Sequence, residues 1–87
     1  MLRVSLIPQA DHATLKLEGK LFGPWCGEVA RVCGQVPFAT PIRLDLFDVT
    51  YADAQGTELL RALITDRGAQ VDRCSSFVAE LLKPEPI

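Results

Sequence analysis

IRLDLFDVTYADAQG, residues Ile42 to Gly56, decides how this chain is read. Ile42, Leu44 and Leu46 alternate with Arg43 and Asp45, the period of a strand with one buried face. A polar turn follows, and a helix begins near Asp53 with Leu59, Leu60, Leu63 and Ile64 on one side. Asp53 is suited to cap that helix, because a carboxylate accepts from first-turn amides near Gln55 and Gly56 that otherwise lack partners. Gly56 keeps the first turn free of bulk and is expected to let another molecule approach the backbone. The positive end of the helix dipole lies there too, which makes the turn a candidate anion site. An ordinary N-cap without a ligand would read the same way.

On the N-terminal side, Leu2, Val4 and Leu6 alternate with Arg3 and Ser5 and predict a first strand. Pro8 to Asp11 is a turn, and Thr14 to Glu18 alternates as a second strand, expected to pair antiparallel with the first. Gly19 ends it. Gly23-Pro24 then opens a helix, proline being suited to a first helical position whose N–H has no partner anyway. Trp25, Val29, Val32 and Val36 form its apolar stripe, with Cys26 and Cys33 beside it, and Pro37 ends it. On the C-terminal side, Gly68 caps the central helix and Ala69 to Asp72 is a short strand. Ser75 or Ser76 caps a last helix carrying Phe77, Val78, Leu81 and Leu82, which Pro84 and Pro86 stop.

The order β-β-α-β-α-β-α predicts an α/β domain with at least one right-handed crossover. All four strands alternate, whereas a sheet covered on both faces would show continuous apolar runs. The expected architecture is therefore a two-layer sandwich, a mixed sheet of four to five strands with helices mainly on one face. It is expected to occupy residues 1–83, with 84–87 as a loose C-terminal tail.

Composition limits what the domain can be. Eighty-seven residues make one small unit, which buries only about 60–65% of the surface of its unfolded chain. A hydrophobic content of 48% and a mean hydropathy of +0.18 supply a core and argue against disorder. Nine basic and eleven acidic residues are interspersed and leave a net charge of −2, which excludes a nucleic-acid footprint. No apolar run approaches the ~20 residues that span a bilayer, and Met1 to Ile7 is too short and too alternating for a signal peptide. Three cysteines without a framework spacing fit reduced thiols, so a cytoplasmic location is expected.

The candidate reactive groups do not assemble into catalytic chemistry. Gly23-Pro24-Trp25-Cys26-Gly27 invites comparison with a thioredoxin site, but position 29 is Val29, so there is no Cys-x-x-Cys pair. A helix start can depress a thiol pKa, which leaves a reactive Cys26 open, but the expected role of the thiols is core packing. Cys33 is expected to pack as a small hydrophobe, and Cys74 to be partly exposed. His12 stands beside Asp11, one imidazole and one carboxylate where a metal needs three or four ligands. Arg43, Asp45, Asp48 and Asp53 read as wet-face and loop charges. The expectation is no enzyme, no metal and no cofactor.

Taken in order, these segments resemble the STAS domain, the fold of bacterial anti-sigma-factor antagonists. Asp45-Leu46-Phe47, then Val49 and Tyr51, then Asp53-Ala54-Gln55-Gly56 correspond to the family's strand, hydrophobic pair and Asp-Ser-Ser-Gly turn. Leu17-Glu18-Gly19-Lys20-Leu21 looks like the end of its second strand. Leu63-Ile64 with Arg67-Gly68-Ala69-Gln70-Val71, and Phe77 to Leu82, resemble its later segments. Two positions depart from the pattern. Gln55 stands where the family's phosphorylated serine would be, and Phe22 where an aspartate is often found.

The resemblance implies a regulatory protein-interaction module whose usual serine switch is absent. It implies a partner such as an anti-sigma factor or related serine kinase, an ATPase-like protein with a nucleotide-binding fold, or a transporter-associated subunit. The implied contact residues are Thr50, Asp53, Ala54, Gln55, Gly56, Thr57, Glu58 and Arg61. Thr50 and Thr57 retain hydroxyls near the lost serine, and the first turns of a helix tolerate added negative charge at Thr57. A homodimer stays open. The alternative is a sensor that binds a small ligand (an anion, nucleotide or lipid) at the N-terminus of the second helix.

Overall fold

The computed structural model describes residues 2–82. β1 (Leu2–Pro8) and β2 (Ala13–Leu21) form an antiparallel hairpin, with Leu2 opposite Gly19 and Pro8 opposite Ala13. Gln9 N–H donates to the His12 carbonyl at 2.8 Å and closes the turn. α1 (Pro24–Gly34) leads to β3 (Ile42–Ala52), parallel to β2, and α2 (Ala54–Asp66) leads to β4 (Gln70–Cys74), parallel to β3. α3 (Ser76–Leu82) follows. The sheet order is β1-β2-β3-β4, so the expected mixed sheet has four strands among the described residues. The expected domain end at 83 and the tail 84–87 lie outside the described residues.

Burial follows the two-layer expectation. Leu15, Leu17, Leu21, Ile42, Leu44, Leu46 and Val49 are buried on one face of the sheet, against Val29 and Cys33 of α1, Leu60 and Leu63 of α2, and Val78 of α3. The intervening residues, among them Arg3, Lys16, Arg43 and Asp45, are exposed or half-buried on the other face. Cys33 belongs to the apolar stripe itself and is not merely beside it. Truncating a fully buried leucine such as Leu44 or Leu60 to alanine costs about 2–5 kcal/mol at such positions.

β3 is longer than its alternation announced. The strand continues past Leu46 to Ala52, and buried residues fall at Leu46, Val49 and Ala52, steps of three. The pairing with β2 explains the change of period. Lys16 opposes Asp45 but Glu18 opposes Asp48, and Gly19 opposes Val49 but Lys20 opposes Tyr51, so β3 carries an extra residue at two places. Each bulge shifts the pleat by one residue and bends the strand, returning an apolar side chain to the core every third position.

β4 stops opposite Leu46, and α3 then covers the second half of β3. Ser75 makes that junction: its N–H donates to the Leu46 carbonyl at 3.2 Å and its hydroxyl to the Val49 carbonyl at 2.7 Å. The same hydroxyl accepts from Val78 N–H at 3.3 Å, so Ser75 is the cap of α3. α2 ends where expected. Gly68 turns left-handed at φ 64°, and Ala69 N–H reaches back to the Leu63 carbonyl at 3.1 Å.

Candidate functional site

Asp53 fastens three segments at the end of β3. Its N–H donates to the Leu21 carbonyl at 3.2 Å, continuing the contact with β2. Its backbone is extended, as an N-cap requires, and Oδ1 accepts from Gly56 N–H at 2.8 Å. Oδ2 accepts from Gly23 N–H at 3.1 Å. Gly23 caps α1 at φ 53° and ψ −128°, a left-handed geometry that favours glycine. One carboxylate therefore ties the start of α1 to the start of α2. Its carbonyl accepts from both the N–H and the hydroxyl of Thr57, each at 2.9 Å.

Gly56 corrects the sequence reading. It is buried, and the space beside it belongs to the chain's own Leu21. A Cβ at Gly56 would lie 2.5 Å from the Leu21 carbonyl oxygen and 3.0 Å from Leu21 Cγ. The glycine lets α2 lie directly on the end of β2 and leaves no room there for another molecule. The anion reading meets a related obstacle, because the Asp53 carboxylate already occupies the helix start and takes the Gly56 amide.

The remaining implied contact residues divide by exposure. Ala54, Gln55, Glu58 and Arg61 are exposed along the first turns of α2, while Asp53 and Thr57 are half-buried. Arg61 donates to the Leu81 carbonyl at 2.9 Å, so its guanidinium caps the end of α3. Thr50, exposed on the second bulge of β3, donates its hydroxyl to the Gly19 carbonyl at 3.3 Å. Gln55 thus stands at an open corner, flanked by Ala54 and Glu58, on a backbone held rigid by Asp53.

Next to that corner lies a surface that periodicity alone did not single out. Phe22 and Tyr51 meet edge to face with centroids 6.5 Å apart, and Tyr51 stacks on Phe77 at 6.2 Å. Lys20, Phe22, Thr50 and Tyr51 line a cleft of about 500 Å³. Tyr51 and Phe77 remain 44% and 39% exposed, enough for the row to be contact surface as well as packing. Alternation places Tyr51 on the wet face with Arg43 and Asp45, where it lies, but its ring partners Phe22 and Phe77 come from distant segments that no local period relates to it.

The other candidate groups take structural roles. Burial, with the Asp53 carboxylate as a lesser cause, pushes the Cys26 thiol pKa up, opposite to the lowering that a helix start can produce. Burial also pushes Cys33 up, Arg67 opposing it. All three cysteines are free thiols. His12 Nδ1 lies 2.6 Å from Asp11 Oδ1, and this hydrogen bond holds the Asp11 carboxyl below its usual range. Arg43 pairs with Asp72 at 3.3 Å and Arg73 with Asp45 at 2.7 Å, both across the exposed side of β3 and β4. Among the described residues no group of three or more His, Cys, Asp or Glu side chains is placed to hold a metal, and no helix is long and apolar enough to cross a membrane.

No protein-family model and no curated protein matches the sequence. Among solved structures, the crystal structure of an antisigma-factor antagonist STAS domain from Rhodobacter sphaeroides superimposes with a TM-score of 0.57 at 17% sequence identity. The match covers 99% of this chain and 96% of that one, so it takes in every strand and helix described above. The chain has the STAS-like fold that its segments resembled.

Proposed function

We propose that this STAS-like domain is a regulatory protein-interaction module that docks through the exposed start of α2. The observation that carries the proposal is the fold shared with an antisigma-factor antagonist over nearly the whole chain, together with the open corner at Ala54 and Gln55. Asp53 positions that corner and does not itself reach outward, since both carboxylate oxygens accept from the chain's own amides. Gln55 and Glu58 supply polar contact, Ala54 allows close approach, and Thr50 with the neighbouring aromatic row extends the surface. The partner class is an anti-sigma factor or related serine kinase, another ATPase-like protein, or a transporter-associated subunit. The module is not an enzyme in this reading, and its three free thiols support a cytoplasmic setting.

Gln55 has no hydroxyl to phosphorylate, so the domain stays competent to bind without the charge-based release that a phosphate at this corner would provide. Affinity capture from the native extract tests the docking surface. Gln55→Arg and Glu58→Lys alter only exposed side chains and are expected to lose the partner while thermal unfolding is unchanged. Undiminished capture by both variants would remove this corner as the interface. Intact-mass analysis after incubation with the cognate kinase tests the second claim: stoichiometric phosphate on Thr50 or Thr57 would replace the missing switch and refute constitutive competence.

A further inference from the structure

The two edges of the sheet are built differently. β4 is five residues long, its register with β3 slips between Leu44 and Asp45, and it carries Asp72 and Arg73, both ion-paired to β3. Short length, a bulge and charge are the features that discourage an edge from pairing further. β1 has almost none of them. It runs seven residues, LRVSLIP, and pairs with β2 at seven successive positions without a shift. Arg3 is its only charged residue, and its proline is the last residue of the strand.

The outward backbone of β1 is open. Beyond the ladder to β2, its amides and carbonyls make no backbone hydrogen bond among the described residues. The helices also cover this end of the sheet incompletely. Val4 and Leu6 face the core yet are only half-buried, and on the opposite, wet face Ile7 is 42% exposed. A cleft of about 680 Å³, lined by Leu2, Arg3, Val4, Glu18 and Gly19, opens beside the strand.

We propose that β1 pairs antiparallel with β1 of a second copy of this chain, about a twofold axis through Ser5. Ser5 is the midpoint of Leu2–Pro8, so this register uses the full strand. It sets Arg3 opposite the second copy's Ile7, Val4 opposite its Leu6 and Ser5 opposite its Ser5. Apolar residues on the core side meet each other, and no like charges face one another. The two sheets become one, with all helices on the same side. Seven residues span about 23 Å, and the molecule is 18 Å across its shortest axis. The strip buried is then on the order of 400 Å² per copy, below the size of stable specific interfaces and in the range of weak, transient ones. A weak, concentration-dependent dimer is the result. The reading does not rest on the docking corner, because it uses no residue of α2.

Sedimentation velocity of the full chain from micromolar to millimolar concentration tests it. The wild-type chain is expected to move from monomer to dimer across that range. Ile7→Glu places a carboxylate opposite the second copy's Arg3 twice per dimer and tightens it; Ile7→Lys places like charges there and loosens it. The ratio of their dimer dissociation constants is expected to be at least about fourfold. A chain monomeric to millimolar, equal constants for the two variants, or a tighter Ile7→Lys dimer would overturn the proposal. Hydrogen exchange gives a check without substitution: β1 amides in the wild-type chain slow as concentration rises, and unchanged exchange would overturn it equally.

Discussion

Replacing Gly56 by alanine should destabilise this domain, although the same change at an ordinary helical glycine stabilises. Alanine gains about 1 kcal/mol over glycine in a helix interior, but the added methyl here would lie 2.5 Å from the Leu21 carbonyl oxygen and 3.0 Å from Leu21 Cγ. Neither neighbour yields easily. The Leu21 carbonyl accepts from Asp53 N–H, and the Leu21 side chain is fully buried. A clash with backbone at 2.5 Å belongs at the upper end of what overpacking costs, about 2–3 kcal/mol, so we expect a net loss of about 1–2 kcal/mol once the propensity gain is offset. For a domain of this size that lowers Tm by about 4–15 °C. Gly27 is the control, because a Cβ there meets nothing within 4 Å, and Gly27→Ala should stabilise by about 0.4–1 kcal/mol. Urea unfolding of both variants with a common m-value measures the difference. A Gly56→Ala variant as stable as wild type, or more so, would refute the close seating of α2 on β2.

Asp53→Ala removes a helix cap and leaves the Gly23 amide unpaired, for an expected loss of about 1–3 kcal/mol in urea unfolding; a loss equal to that of an exposed control such as Glu58→Ala would contradict the two-helix tie. The Arg73 hydrogen bond is the main cause that holds the Asp45 carboxyl below the ordinary value of 3.8. A lowered folded-state pKa contributes stability that is present above the unfolded value and lost as pH falls through the folded one. Asp45→Asn should therefore be less stable than wild type at pH 7, with the gap closing below about pH 4 in thermal melts; a gap independent of pH would deny the ion pair its role. Because burial and Asp53 push the Cys26 thiol up, iodoacetamide at pH 7 should label Cys26 more slowly than free glutathione, and Asp53→Asn should speed it. Labelling faster than glutathione would reverse that account.

Where sequence period and packing agreed, the fold was legible. The alternation in Leu2–Leu6, Thr14–Glu18 and Ile42–Leu46 marked three strands and also announced the wet face, because a single buried side produces it. The cap at Asp53 and the end at Gly68 were readable because each relies on chemistry local to a few residues. The second half of β3 was not. Its bulges convert a period of two into three, and they arise from pairing with β2, which no window on Phe47 to Ala52 contains. At the site, the identity of Asp53 was readable, but its second acceptor contact is with Gly23, thirty residues earlier. A comparable separation, from Leu21 to Gly56, hid the role of that glycine, and the upward shift of Cys26 is produced by burial in the folded chain.

Site-specific photo-crosslinking from the start of α2, compared with α1, tests the central claim most directly. A benzophenone side chain at position 55 should trap one protein in the native cell, and untagged wild-type chain should compete the adduct away. The same group in place of exposed Ala30 on α1 should not trap it. No adduct from position 55, or the same adduct from position 30, would contradict docking at the helix start.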